Sequence, residues 1–343
     1  MADFRIRFET AHPSNLVRWR GFERGDREVR RYVGCVVAAL TVLALGGCNT
    51  DRPQWTAAPR TSAAPVRSAT PAQSVKPRVV QAKPAELPLG GTTIFPRYRV
   101  VAYYGTAGNA ALGVLGEGSP DAMLPKLRTA AGGFAGGRRI QVAYELIATV
   151  AQGGPGPDGD YSKMIDMARI ERYVEQARRN KVLVILDLQP GRGNFLSQAQ
   201  RLERFLVQPH VGLALDPEWR MPPGKVPGRT IGQVGAAEVN AVSAYVSGLV
   251  AEHRLPQKLF VLHQFRSSML PEVQRILKRP GLAMVQHIDG FGSRGEKDAT
   301  WRRLKRPQQF HMGYKLFYDE DVHRYGPADV LRFHPVPELV SYQ

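Results

Sequence analysis

From Tyr98 onward the chain repeats one arrangement. A short apolar run ends on a polar or charged residue, a Gly/Pro-rich loop follows, and then in most cases a helical stretch. Eight runs fit it: Arg99–Tyr104, Ile140–Glu145, Val182–Asp187, Val211–Asp216, Leu259–His263, Ala283–Asp289, Phe310–Lys315 and Glu338–Tyr342. Near-continuous apolar runs suit strands covered on both faces, as in parallel sheets. Eight of them, mostly separated by helices, predict an α/β fold, a closed (β/α)8 TIM barrel.

The intervening segments carry helix signals of uneven strength. Ser119-Pro-Asp121 supplies an N-cap, a first-turn proline and an acid near the positive helix end. The longest helix is expected from Ser162 to Asn180, with Ile165, Ile170, Val174 and Ala177 near helical spacing. Further helices are expected over Leu196–Leu206, Ala236–His253, Pro271–Lys278, Glu296–Lys305 and Pro327–Phe333. Three long loops, Gly105–Gly118, Gln152–Tyr161 and Pro217–Gly235, follow the first, second and fourth runs and should share one rim.

The first 47 residues stand apart. Arg30-Arg31 precede an apolar stretch to Leu45, shorter than the ~20 apolar residues a membrane span needs. A basic region, a short apolar core and small residues read as a secretory signal. The ending Leu45-Gly-Gly-Cys48 resembles the lipobox of bacterial lipoproteins. That resemblance implies lipidation of Cys48, export, and anchoring to the outer face of the cell membrane. Residues 48–92, rich in Pro, Ala, Ser and Thr, read as a disordered tether, and residues 93–343 as the barrel domain. Cys35 and Cys48 are the only cysteines, so the barrel has neither a disulfide nor a thiolate metal site.

The formal charge of the chain is +17, of which +10 falls in residues 97–343. For an exported protein this favours anionic wall polymers or headgroups over nucleic acid, and no nucleic-acid partner is expected. The densest basic run, Arg302-Arg303-Leu-Lys305-Arg306, lacks interleaved aromatics beyond Trp301.

A barrel gathers its chemistry at the C-terminal ends of the strands. There the sequence places Tyr104, Glu145, Asp187, Asp216, Glu218, His263, Asp289 and Lys315. Asp216-Pro-Glu218 is the sharpest feature, because two nearby carboxyls raise one another's pKa and can divide into acid and base. Asp187 and Asp289 are candidates for the opposing role. Tyr103, Tyr104, Glu145, Trp219, His263, Gln264, His287 and Lys315 are candidate substrate contacts, with Tyr314 and Phe317 as further apolar faces. No metal site and no cofactor are expected. Asp158-Gly-Asp160 lacks the rest of a calcium loop, and there is no phosphate loop, dinucleotide fingerprint or nucleophile elbow.

The Asp-x-Glu at the fourth run resembles the chitinase-like and Chalaropsis-type lysozyme families of glycoside hydrolase barrels, although the longer chitinase pattern before Asp216 is absent. The resemblance implies that Glu218 is the general acid and Asp216 its supporting carboxylate. It implies a lipid-anchored hydrolase of a cell-envelope or extracellular polysaccharide, expected as a monomer. The alternative is a glycan-binding lipoprotein without turnover.

Overall fold

The computed structural model describes residues 84–343. Among these, eight parallel strands close into a ring: β1 (Tyr98–Gly105), β2 (Arg139–Ala151), β4 (Leu183–Leu188), β5 (Val211–Leu215), β6 (Lys258–Gln264), β7 (Leu282–Ile288), β8 (His311–Leu316) and β9 (Leu339–Tyr342). β9 pairs in parallel with β1 and seals the barrel. Each of the eight apolar runs became one barrel strand. The signal segment, Cys48 and most of the tether lie outside the described residues.

Strand alternation sorts the side chains into two layers. One parity faces inward, with Val100, Ala102, Ala143, Ile185, Val261 and Val285 filling the lower barrel. The other parity, including Val101, Leu146, Leu186, Leu213 and Phe260, packs against the outer helices. The barrel floor is plugged by the chain before β1, where Leu87, Ile94 and Phe95 join the inner cluster. Gln257 fixes this plug, accepting from the Ile94 N–H at 2.7 Å through its side chain and donating its backbone N–H to Thr92 O at 2.8 Å. Composition assigns residues 84–92 to the tether, yet Leu87 is buried, because an open barrel end needs an apolar cover.

The helices are α1 (Pro120–Ala131), α2 (Met167–Asn180), α3 (Phe195–Arg201), α4 (Glu203–Leu206), α5 (Ala236–Glu252), α6 (Arg294–Leu304) and α7 (Pro327–Val330). Three differ from the sequence expectation. Ser162 does not cap α2. Ser162–Met164 forms a short strand, β3, antiparallel to the end of β2, and Asp166 caps the helix instead. The segment Leu196–Leu206 breaks at Leu202 into α3 and α4. Pro271–Lys278 holds only a 3-10 turn, Val273–Arg275, so β6 reaches β7 without an α-helix. The longest helix is α5, whose Val239, Val242, Val246 and Leu249 are buried against the barrel.

Candidate functional site

Above the apolar lower barrel the inward positions turn polar. Glu145, Asp187, His263, His287 and Ser341 are all fully buried. β2 runs on to Ala151, so Glu145 lies in mid-strand inside the barrel, not at the strand end where the sequence placed it. His263 sits at the centre of this layer. Its Nδ1 is 3.0 Å from Asp289 Oδ2 and its Nε2 is 3.1 Å from Glu145 Oε1, with Asp187 Oδ1 at 3.8 Å from Nε2. The His287 ring meets that of His263 edge-on at 5.2 Å, and its Nε2 is 2.7 Å from Ser341 Oγ. Gly313 makes room for it: a Cβ there would come within 2.2 Å of His287 Nδ1.

The strand ends open into a cavity of about 390 Å³. Its walls include Asp216, Glu218, Asp289, Lys315, Tyr104 and Gln189, with Trp219, Phe291, Phe317 and Tyr318 as aromatic faces. Asp216 and Glu218 thus share this cavity with Asp289. Asp187 lies beneath it, accepting the Tyr104 hydroxyl at 3.1 Å. Lys315 Nζ stands 3.4 Å from the centre of the Tyr104 ring, a cation–π contact among the carboxylates.

Local chemistry fixes these groups. Asp216 Oδ1 accepts the Glu218 N–H at 3.3 Å and caps the 3-10 turn Pro217–Trp219. Glu218 O accepts the Gly232 N–H at 2.6 Å. Only glycine permits that approach, since a Cβ would fall within 2.6 Å of the carbonyls of Pro217, Glu218 and Arg220. Arg220 then bonds Glu238 of α5 and ties the loop to the helical layer. On the far wall a buried ion pair at 2.9 Å joins Lys297 of α6 to Asp321 of the loop after β8. Lys297 also donates to Gly290 O and Lys315 O, and Asp321 accepts from the Phe317 N–H. Every polar group of this pair is therefore matched, as burial of charge requires.

The carboxyls are driven apart electrostatically. Glu218 is half-buried in the cavity wall, where desolvation pushes it well above the usual range and Asp216 and Asp289 push it further. Burial, with Asp289, raises Asp216 to about 6. Burial also raises Asp187 strongly, aided by Asp216 and Glu145. Burial would raise Asp289 too, but the hydrogen bond and charge of His263 outweigh it and hold Asp289 below the ordinary carboxylate range. His287 is held well below its usual value by burial and by the His263 charge.

Other sequence candidates lie elsewhere. Tyr103 points to the helix side of β1, its ring edge-on to Tyr342 and its hydroxyl 3.3 Å from that of Tyr318. Gln264 faces outward and accepts from Gln286. Tyr314 is packed against Trp301 and Phe333 in the outer core. His263 and His287 are below the cavity floor. Both nitrogens of His263 are engaged by carboxylates, which leaves no lone pair for a metal. Phe291, Tyr318 and Arg266, which the sequence does not mark, line the cavity, and so does Arg303 of the dense basic run. The signal for Phe291 and Tyr318 was their position two and three residues beyond a strand-end acid or apolar run.

No family model matches the chain, and no curated protein matches it. Among solved structures, a xyloglucan-specific endo-β-1,4-glucanase of glycoside hydrolase family 5 from a metagenomic library, crystallised with cellotriose, superposes with a TM-score of 0.36 and 10% identity. The match covers 74% of this chain and 86% of that one. A likeness at this level bears on neither the site nor its reaction.

Proposed function

We propose that the barrel hydrolyses a glycosidic bond in a cell-envelope or extracellular polysaccharide. Glu218 is the proton donor and Asp289 the ionised carboxylate that shares its cavity. The supporting observation is that Glu218, Asp216 and Asp289 line one cavity bordered by aromatic faces, in surroundings that protonate the first and ionise the last. Glycoside hydrolysis needs that division between two carboxyls. Glu218 gives its proton to the leaving oxygen as the C–O bond breaks, and water adds to the anomeric carbon and gives up a proton that restores Glu218. Asp289 meets the positive charge that builds on the anomeric carbon. Asp216 orients Glu218 through the turn it caps and keeps it protonated by its own charge. Asp187, sunk beneath the cavity and bonded by Tyr104, holds the floor. The leader and Leu45-Gly-Gly-Cys48 would station this activity on the outer face of the cell membrane.

The test is reducing-sugar release by the purified chain from a panel of plant, fungal and bacterial-wall polysaccharides. Glu218→Gln should lower turnover at least about a hundredfold, within the range set by loss of a general acid, while sugar binding persists. Binding without hydrolysis by the native chain would replace this reading with that of a glycan-binding module.

A further inference from the structure

His263 carries an arrangement that the acid and base roles do not use. A neutral imidazole has one N–H and one lone pair. Here both nitrogens meet carboxyl oxygens, Asp289 Oδ2 at 3.0 Å and Glu145 Oε1 at 3.1 Å, so the trio holds at least one proton more than a neutral ring between two carboxylates. The ring itself is fully buried and fixed on every side. β2 contributes Glu145, β4 contributes Asp187, the residue after β5 is Asp216, and the residue after β7 is Asp289. His287 of β7 abuts its edge, Tyr104 of β1 lies 5.8 Å away, and Lys315 of β8 faces the same carboxylates. The carboxylates on its two nitrogens favour the extra proton on the imidazole. Burial alone would discharge it, but the hydrogen bonds to Asp289 and Glu145 outweigh burial and hold its pKa well above the ordinary histidine value.

Asp289 shows the consequence. Its Oδ2 is held by His263 at 3.0 Å, and the residue lines the cavity. We infer that His263 is a positioning residue: a doubly bound imidazolium, anchored by Glu145, that clamps Asp289 through Oδ2 and fixes where its carboxylate stands in the cavity wall. This rests on the proposed hydrolytic role of Asp289. Glu145 thereby acts on the reaction at second hand, and neither it nor His263 touches substrate.

Two measurements test it on the full chain. The first needs no turnover. The ring-nitrogen resonances of His263 should show a doubly protonated imidazole from about pH 5 to 8, a window spanning the ordinary histidine pKa. A neutral ring anywhere below about pH 7 overturns the inference, whatever the activity. The second is kinetic. His263→Gln keeps a contact to Glu145 and loses both the charge and the clamp. It should lower kcat about a hundredfold, the order expected for a misplaced reacting group, with KM within about threefold. The acidic limb of its pH profile should move upward, because Asp289 loses the cation that keeps it ionised. His263→Asn, which can still donate to Asp289, should recover part of kcat. Glu145→Gln should shift the acidic limb in the same direction by less. Equal losses in kcat and 1/KM with an unmoved limb would make His263 merely structural. If the native chain hydrolyses nothing yet His263 stays doubly protonated, the hydrolase reading falls while the clamp stands.

Discussion

Gly313→Ala is the substitution whose effect is most sharply set by geometry. The added methyl would lie 2.2 Å from His287 Nδ1, 3.1 Å from His287 Cγ and 3.0 Å from Val285 Cγ1. None of these can swing away freely. His287 is fully buried, bonded to Ser341 and wedged against His263, and Val285 is fully buried in the inner cluster. Forcing a methyl into such packing costs about 1–3 kcal/mol, and the upper end applies when the contact is with a fixed ring. Displacing His287 also sacrifices its hydrogen bond to Ser341, about 1 kcal/mol. Against this, alanine restricts the unfolded chain and returns about 0.4–1 kcal/mol. The net expectation is a destabilisation of about 2–3 kcal/mol, which for a domain of this size lowers Tm by roughly 4–12 °C. Urea denaturation followed by circular dichroism measures the first figure, and a thermal scan the second. Combining it with His287→Ala should erase most of the penalty, as coupled neighbours do. A Gly313→Ala protein as stable as the parent would refute the inner-layer packing described here.

The remaining expectations concern protons. Asp216→Asn should move the alkaline limb of hydrolysis to lower pH, because the Asp216 charge helps hold Glu218 protonated; an unmoved limb in the pH–rate profile would separate the two residues. Lys258 donates to the carbonyls of Gln208 and Val211 at 2.7 and 2.8 Å, and burial lowers its pKa to about 7. Its folded pKa lies below its unfolded one, so from about pH 7 up to the ordinary lysine value the unfolded chain binds more protons and stability should rise with pH. The urea midpoint of Lys258→Met relative to the parent should therefore fall steadily across that window, and a constant difference would show that the amine keeps its charge when folded.

The barrel itself was legible because buried parallel strands write themselves as apolar runs, and each of the eight did. Crossovers were harder. Ser162 looks like a helix cap in sequence, but pairing of Thr149–Ala151 with Ser162–Met164 outcompeted the helix for those backbone groups. The mouth acids could be named because each ends a strand. Inward or outward facing could not be settled the same way for Tyr103 and Gln264, whose neighbours Tyr104 and His263 took the inner parity. In sequence Glu145 reads as a rim residue because the apolar run breaks on it, whereas β2 continues for six more residues. The His263 clamp joins β2, β6 and the residue after β7, and no local pattern encodes a contact between residues 118 positions apart.

The plugged floor has a directional consequence. Leu87 is seated in the barrel base, at the end opposite the strand C-termini that form the opening. The polypeptide therefore enters the domain from behind. The chain upstream of Leu87 thus joins the barrel on the side away from the cavity. A pull on the chain just before Leu87 would load the plug that Gln257 grips before it reached the carboxyls of the cavity.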